Sequence, residues 1–247
     1  MNRPSFTVTN TSVDRRDVGP RPLGGTGIRS GGRVVKERAA QVAARFEPAR
    51  SCPEEPTMQM FLTDLSPSLG YGGNPGNDPA GLRHPALLAA ARHVARACRC
   101  GHEYLQVLSF DLHGDFDIGP LTFKRADMAT LTAAMESRNY GSGCSTLGPA
   151  LAAATNILSD WDGPATVTVM SDFELTDPRS IRMLGGLPAH VHAVVFTSPV
   201  HAELVAVSDD VEITHVAPTD TVETVAHAVH AQLIHHRPTG RGSRRKS

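Results

Sequence analysis

The chain is short of several things, and each shortage excludes something. Its 247 residues hold only four cysteines: Cys52, Cys98, Cys100 and Cys144. Nothing in that number requires a disulfide framework at this length. No run of apolar residues approaches the roughly 18 needed to span a bilayer. The opening Met1-Asn-Arg-Pro-Ser-Phe lacks the apolar core of a secretory signal. A cytoplasmic protein with no membrane association is therefore expected. Aromatic residues make up 5% of the chain, and Phe6 and Phe46 alone represent them in the first fifty residues. That leaves little on which bases could stack, so nucleic acid is a minor option. Lysine is nearly missing from residues 51–236, where Lys124 stands alone.

Charge is balanced overall, at −1, yet segregated. Residues 1–50 carry ten Lys/Arg against four Asp/Glu, and residues 237–247 carry five against none. The body between them is left with nine basic and 21 acidic residues. The plain reading is solvated basic arms beside an acidic body; the sharper one is contact with an acidic partner. Residues 1–56 are broken by Pro20, Pro22, Gly24-Gly25 and Gly31-Gly32, and are expected to be a largely disordered arm. One helical piece is expected over Val34–Phe46. Gly24-Gly-Thr-Gly27 lacks the lysine and flanking strand of a phosphate loop. Residues 237–247 read as a disordered basic tail. One domain is expected over 57–236.

Within the body, apolar periodicity switches between two and 3.6. Strands are predicted over Met58–Asp64, Tyr104–Phe110, Phe116–Phe123, Ala165–Ser171, His190–Phe196 and Val211–Val216. Helices are predicted over Pro85–Cys98, Ala126–Ser137 and Ser145–Leu158, with a short one at Pro178–Leu184. A last helix, capped by Thr219 or Asp220, runs to His235. The alternation implies an α/β fold: a Rossmann-like, mostly parallel six-stranded sheet with helices on both faces. Only about five residues separate Tyr104–Phe110 from the next strand. That pair must be antiparallel, which supplies the one antiparallel edge strand.

Two strands end in an acid. The first closes on Asp64-Leu-Ser66-Pro-Ser68 and the fourth on Ser171-Asp172. Acids at the carboxyl ends of interior strands stand where open α/β sheets place their ligands. Between them, Ser145-Thr146-Leu147-Gly148 opens a helix. If the two strands are neighbours, Asp64, Ser66, Ser68, Ser145 or Thr146, and Asp172 converge. All are hard oxygen donors, which suits Mg²⁺, with Mn²⁺ as a second option.

The order of these motifs resembles the von Willebrand factor A (VWA) domain over about 57–236, in its bacterial intracellular form. It runs from Asp-x-Ser-x-Ser through a hairpin ending Gly119-Pro-Leu-Thr122 and Ser-Thr-Leu-Gly-Pro-Ala-Leu151 to Val167-Thr-Val-Met-Ser-Asp172. The resemblance implies a metal-ion-dependent adhesion site formed by Asp64, Ser66, Ser68, a second-loop hydroxyl and Asp172. The family pattern Thr-x-Leu-Gly aligns that hydroxyl with Ser145, and Thr146 is the second choice. Pro67 stands where glycine is usual. Tyr71, Asn74 and Glu174 would form the rim, and Asp177 is also taken as rim. The implied function is a non-enzymatic protein-binding module. A partner's Asp or Glu would complete the metal's coordination, and an AAA+ ATPase is one such partner.

Two other functions remain. A Mg²⁺-dependent phosphatase-like hydrolase would use Asp64 as nucleophile, but it needs a second Asp where Ser66 stands and a lysine near the site. A metal-free scaffold would bind through its basic arms. His93, Cys98, Cys100 and His102 lack a second pair at zinc spacing, and Cys98 reads as core. Asp111, His113, Asp115 and Asp117 read as a solvated turn, and Cys144 as a packed thiol.

Overall fold

The computed structural model describes residue 46 and residues 51–66, 83–97, 100–110, 117–136, 144–196, 200–217 and 219–237. Its centre is β1 (Thr57–Thr63), in which every residue is buried. Strand β2 (Glu103–Ser109) pairs with it in parallel on one side and β4 (Ala165–Ser171) on the other. Beyond β4 lie β5 (His190–Val195) and β6 (Val211–His215), both parallel. Beyond β2 lies the antiparallel β3 (Ile118–Thr122), giving the order β3-β2-β1-β4-β5-β6. The β2–β3 register shifts between Leu105 and Val107. Opposite them Gly119 adopts φ 109°, and a Cβ there would stand 2.6 Å from the Leu105 carbonyl oxygen, so only glycine fits.

Side chains alternate across a strand, and β1 uses both faces. Met58, Met60 and Leu62 join one core with α3 (Gly148–Ser159), α4 (Ala202–Val205) and the 3-10 stretch Pro178–Gly186. Phe61 joins the other, with α1 (Arg83–Ala97), α2 (Arg125–Glu136) and α5 (Val222–Leu233). Burial on both faces explains why Met60, Phe61 and Leu62 are apolar in succession.

Element ends move for identifiable reasons. Helix α1 starts at Arg83, ahead of Pro85, because proline is tolerated in a first helical turn. Helix α3 starts at Gly148 and leaves Ser145–Leu147 outside it. Thr221 holds the N-cap position of α5. Asp220 instead accepts from the Ala217 N–H at 2.8 Å. Helix α4, a single turn, was not anticipated, being too short to show a period. Asp117 is not merely solvated, since its carboxylate accepts from the Ser109 N–H at 3.0 Å.

Order also reaches beyond the expected ends of the domain. Arg237, assigned by composition to the tail, is 2% exposed. Its Nε and Nη2 donate to the two carboxylate oxygens of Glu103 at 2.7 and 2.5 Å. Phe46 packs against His93 and His230 with ring centroids 4.9 and 4.8 Å apart. Cys52 is disulfide-bonded, which the cysteine count did not require, while Cys100 and Cys144 form no disulfide.

A histidine network lies where β5, β6 and the end of α5 meet. His190 stacks on His235 at 3.9 Å and bonds Glu212 at 3.0 Å through Nε2. Gln232 donates to the same Glu212 oxygen at 3.1 Å. His192 bonds the Thr214 hydroxyl at 2.8 Å.

Two outcomes are expected. Arg237→Ala strands a buried carboxylate and should cost about 3–5 kcal/mol in denaturant unfolding. Arg237→Ala with Glu103→Leu should recover much of that loss. The second outcome concerns pH. Burial pushes the His192 pKa down to about 4, with Glu212 opposing and His190 reinforcing the shift. The unfolded chain therefore binds this proton more readily. Stability held above about pH 6.5 should fall as pH drops towards 4, by up to about 3 kcal/mol from this group. Thermal melts across that range should show a shallower slope for His192→Gln than for wild type.

Candidate metal-binding site

The chain leaves β1 for one side of the sheet and returns through β4 on the other, so β1 and β4 flank the point where the strand order reverses. Asp64 follows the last residue of β1, and Asp172 the last of β4. The Asp64 N–H still donates to the Met170 carbonyl at 3.2 Å, which ties it to the neighbouring strand. Its carboxylate is fully buried and has defined partners. The Ser66 N–H donates to Oδ1 at 2.8 Å, and the Ser171 hydroxyl to Oδ2 at 2.7 Å.

Burial is the largest influence on this carboxyl and raises its pKa above the ordinary aspartate value. The hydrogen bonds from Ser66 and Ser171 oppose that shift, and the nearby Asp172 charge adds to it. Asp172 is 5% exposed, and its Oδ1 accepts from the Glu174 N–H at 3.0 Å. Between them Phe173 takes φ 59°, a left-handed conformation that costs a bulky residue about 1–3 kcal/mol. Its fully buried ring and a 2.9 Å bond from its N–H to the Ser171 oxygen hold it there.

The second loop is joined to the third. Thr176 donates to the Ser145 carbonyl through its N–H at 2.9 Å. The Thr146 hydroxyl engages Thr176 Oγ1 at 2.6 Å and the Cys144 sulfur at 3.2 Å. The Ser145 side chain makes no hydrogen bond among the described residues. Of the two candidates in this loop, Ser145 therefore has the uncommitted hydroxyl. Asp177 is not rim: its carboxylate caps α3, accepting from the Leu147 and Gly148 N–H groups at 2.9 and 2.7 Å. Glu174 is exposed beside the site. Ser68, Tyr71 and Asn74 lie outside the described residues.

Sequence reasoning missed Arg83. This side chain is fully buried, and its Nη2 donates to the Asp64 carbonyl oxygen. No spacing rule could have paired them, because the acceptor is a backbone atom 19 positions away.

The donor set fits a hard divalent cation. Two carboxylates at neighbouring strand ends repel each other, and a cation between them offsets the repulsion. Ser66, 2% exposed, and Ser145 would add hydroxyl oxygens. Among the described residues no group of three His, Cys, Asp or Glu side chains is placed to hold an ion. An ion here would have to use hydroxyl donors, which favours Mg²⁺ or Mn²⁺ over zinc.

By sequence the chain matches no family model and no curated protein. Solved structures do resemble it. One is the pilus adhesin SpaC from Lactobacillus rhamnosus GG in its open conformation, with a TM-score of 0.57 at 10% identity. That match covers 76% of this chain and 31% of the adhesin. Another form of the adhesin gives a TM-score of 0.58 with the same coverage. The SpRpn10 VWA domain aligns at a TM-score of 0.49 and 11% identity, over 68% of this chain and 93% of that one. The fold is like that of part of the adhesin. At these identities the likeness concerns the fold alone, and this chain spans about a third of the adhesin.

The cap predicts a stability effect. Asp177→Ala removes the acceptor of two N–H groups and should cost about 1–2 kcal/mol in urea unfolding. Asp177→Asn, which keeps one acceptor oxygen, should cost less.

Proposed function

We propose that this chain is a protein-interaction module without turnover, whose site at the carboxyl ends of β1 and β4 binds Mg²⁺ and presents it to an acidic side chain of a partner protein. One observation carries this. Two buried aspartates, Asp64 and Asp172, follow neighbouring strands where the strand order reverses, and the Ser66 N–H is bonded to the Asp64 carboxylate. Asp64, Ser66, Asp172 and Ser145 would hold the ion, Ser68 would join them, and Glu174, Tyr71 and Asn74 would form the rim. When bound, the ion supplies a Lewis-acidic position open to a carboxylate oxygen. The protein's own groups supply orientation: Ser66 and Ser171 hold the Asp64 carboxylate in place.

The hydrolase reading has less support. It needs a lysine at the site, and the body's only lysine lies elsewhere. A Cβ added at Gly101, just before β2, would meet the Lys124 side chain at 3.3 Å. That is the amino end of the sheet, opposite Asp64. No described helix is long and apolar enough to cross a membrane. A cytoplasmic setting and an AAA+ ATPase partner belong to the proposal, and the setting carries one tension. Cys52 is disulfide-bonded, and such bonds persist mainly in oxidising compartments.

Calorimetric titration with Mg²⁺ and Mn²⁺ tests the reading. Wild type should bind one ion, and Asp64→Ala should lose binding by at least about a hundredfold, as expected when a ligand carboxylate is removed. Capture of a partner by immobilised protein should then be abolished by chelator. No ion binding in wild type would sink the metal-bridged reading.

A further inference from the structure

The residues that precede β1 and those that follow α5 enclose a cavity of about 380 Å³. Glu54, Glu55, Thr57, Pro164, His236 and Arg237 form most of its wall. It lies at the amino end of the sheet, since Thr57 opens β1 and Pro164 precedes β4. Asp64 stands at the other end of β1, roughly 20 Å along the strand. Side chains alternate across β1, and Gln59 and Phe61 both face α5: Gln59 donates to the Leu233 carbonyl at 3.5 Å, and Phe61 joins the α5 core. Thr57 shares that face and therefore points towards the end of α5, where His236 and Arg237 complete the wall. Thr57 is 2% exposed, and its hydroxyl makes no hydrogen bond among the described residues. His236 Nε2, on the same cavity, is also buried and has no hydrogen-bond partner among them. Buried polar atoms are ordinarily bonded, so two orphans on one cavity point to a ligand.

Charge decides the class of ligand. Arg237 is neutralised by bidentate Glu103. Glu54 and Glu55 are exposed at the cavity and enter no ion pair among the described residues. With neutral imidazoles the cavity is therefore negative, and it favours a cation. Glu54, Glu55, Thr57 and His236 offer four acceptor groups. An ammonium brings three donors, whereas a guanidinium brings five in a planar fork. We infer that this cavity receives the guanidinium group of an arginine side chain. The carboxylates supply charge-assisted bonds at the exposed side, and Thr57 Oγ1 and His236 Nε2 accept on the buried side. The site is separate from the proposed metal site and does not depend on it. Two sources present such a group: an arginine of another chain, or this chain's own Arg241, Arg244 and Arg245, which follow Arg237 closely in sequence.

The test titrates N-acetyl-arginine amide into the full chain, followed by heteronuclear NMR, with N-acetyl-lysine amide as the comparison. Three variants accompany wild type: Thr57→Val, the pair Glu54→Gln with Glu55→Gln, and the triple Arg241→Gln, Arg244→Gln, Arg245→Gln. Circular dichroism and thermal melts establish that each is folded. Saturable shifts should appear at the Thr57 and Arg237 amides and leave Asp64 and Asp172 unmoved. The lysine probe, with fewer donors, should bind at least about fivefold more weakly. The paired Glu→Gln variant should lose at least about tenfold in affinity for the arginine probe, and Thr57→Val about fivefold. Tighter binding to the triple tail variant than to wild type upholds the site and assigns its occupant to the chain's own tail. Equal binding to the two upholds the site and assigns the occupant to another chain. Saturable binding to neither overturns the inference and leaves solvent to satisfy Thr57 and His236. Equal affinity for the two probes overturns it as well, as does undiminished binding by the paired Glu→Gln variant.

Discussion

The parallel pairing of β1 with β4 is the constraint on which the rest depends. It places Met60 against Val167 and Thr63 against Met170 in register. That register carries Asp64 alongside Ser171, whose hydroxyl it accepts at 2.7 Å. A slip of one residue would turn Met58, Met60 and Leu62 to the opposite face and move the Asp64 carboxylate away from Ser171. The apolar alternation that builds the two cores thus also sets the position of the site's acids. Fold and site share one determinant.

Around that pairing the molecule solves the same electrostatic problem several times with different partners. Glu103, at the start of β2, is buried and neutralised by bidentate Arg237. Asp177 is held by two N–H groups at the start of α3, where the helix dipole also favours an anion. Asp64 is held by two hydrogen bonds to its carboxylate, and the Arg83 guanidinium donates to the Asp64 backbone carbonyl. Buried charge is tolerated in each place because the geometry offers donors at once. The end of β4 and the loop after it brace their neighbours: Ser171 holds the Asp64 carboxylate, while Thr176 and Asp177 hold the second loop.

Much of the fold was legible in the chain. The alternating strand and helix periods, the short hairpin connection and the two acids at strand ends led to the sheet, its antiparallel edge and the Asp64–Asp172 pairing. Other features were hidden for physical reasons. Arg237 looked like one more base of a solvated tail, because its partner Glu103 lies 134 positions away. Phe46 closed a helical piece assigned to the basic arm, with nothing local to name its partners, yet it rests on His93 and His230. Asp177 resembled a rim acid, because an N-cap drawn from another loop leaves no local spacing to read. The preference between Ser145 and Thr146 came from register alone, which does not encode the contacts of the Thr146 hydroxyl with Cys144 and Thr176.

By itself, then, the sequence determined what each segment can be: which runs are strands, which faces are apolar, and which oxygen-bearing residues stand at strand ends. These are local properties, encoded in spacing and composition. Only the tertiary structure decided which charges meet. Arg83 reaches a backbone carbonyl, Arg237 reaches Glu103, and Asp177 caps a helix that precedes it. Such pairings depend on distances across the fold, and residue spacing along a chain does not encode them.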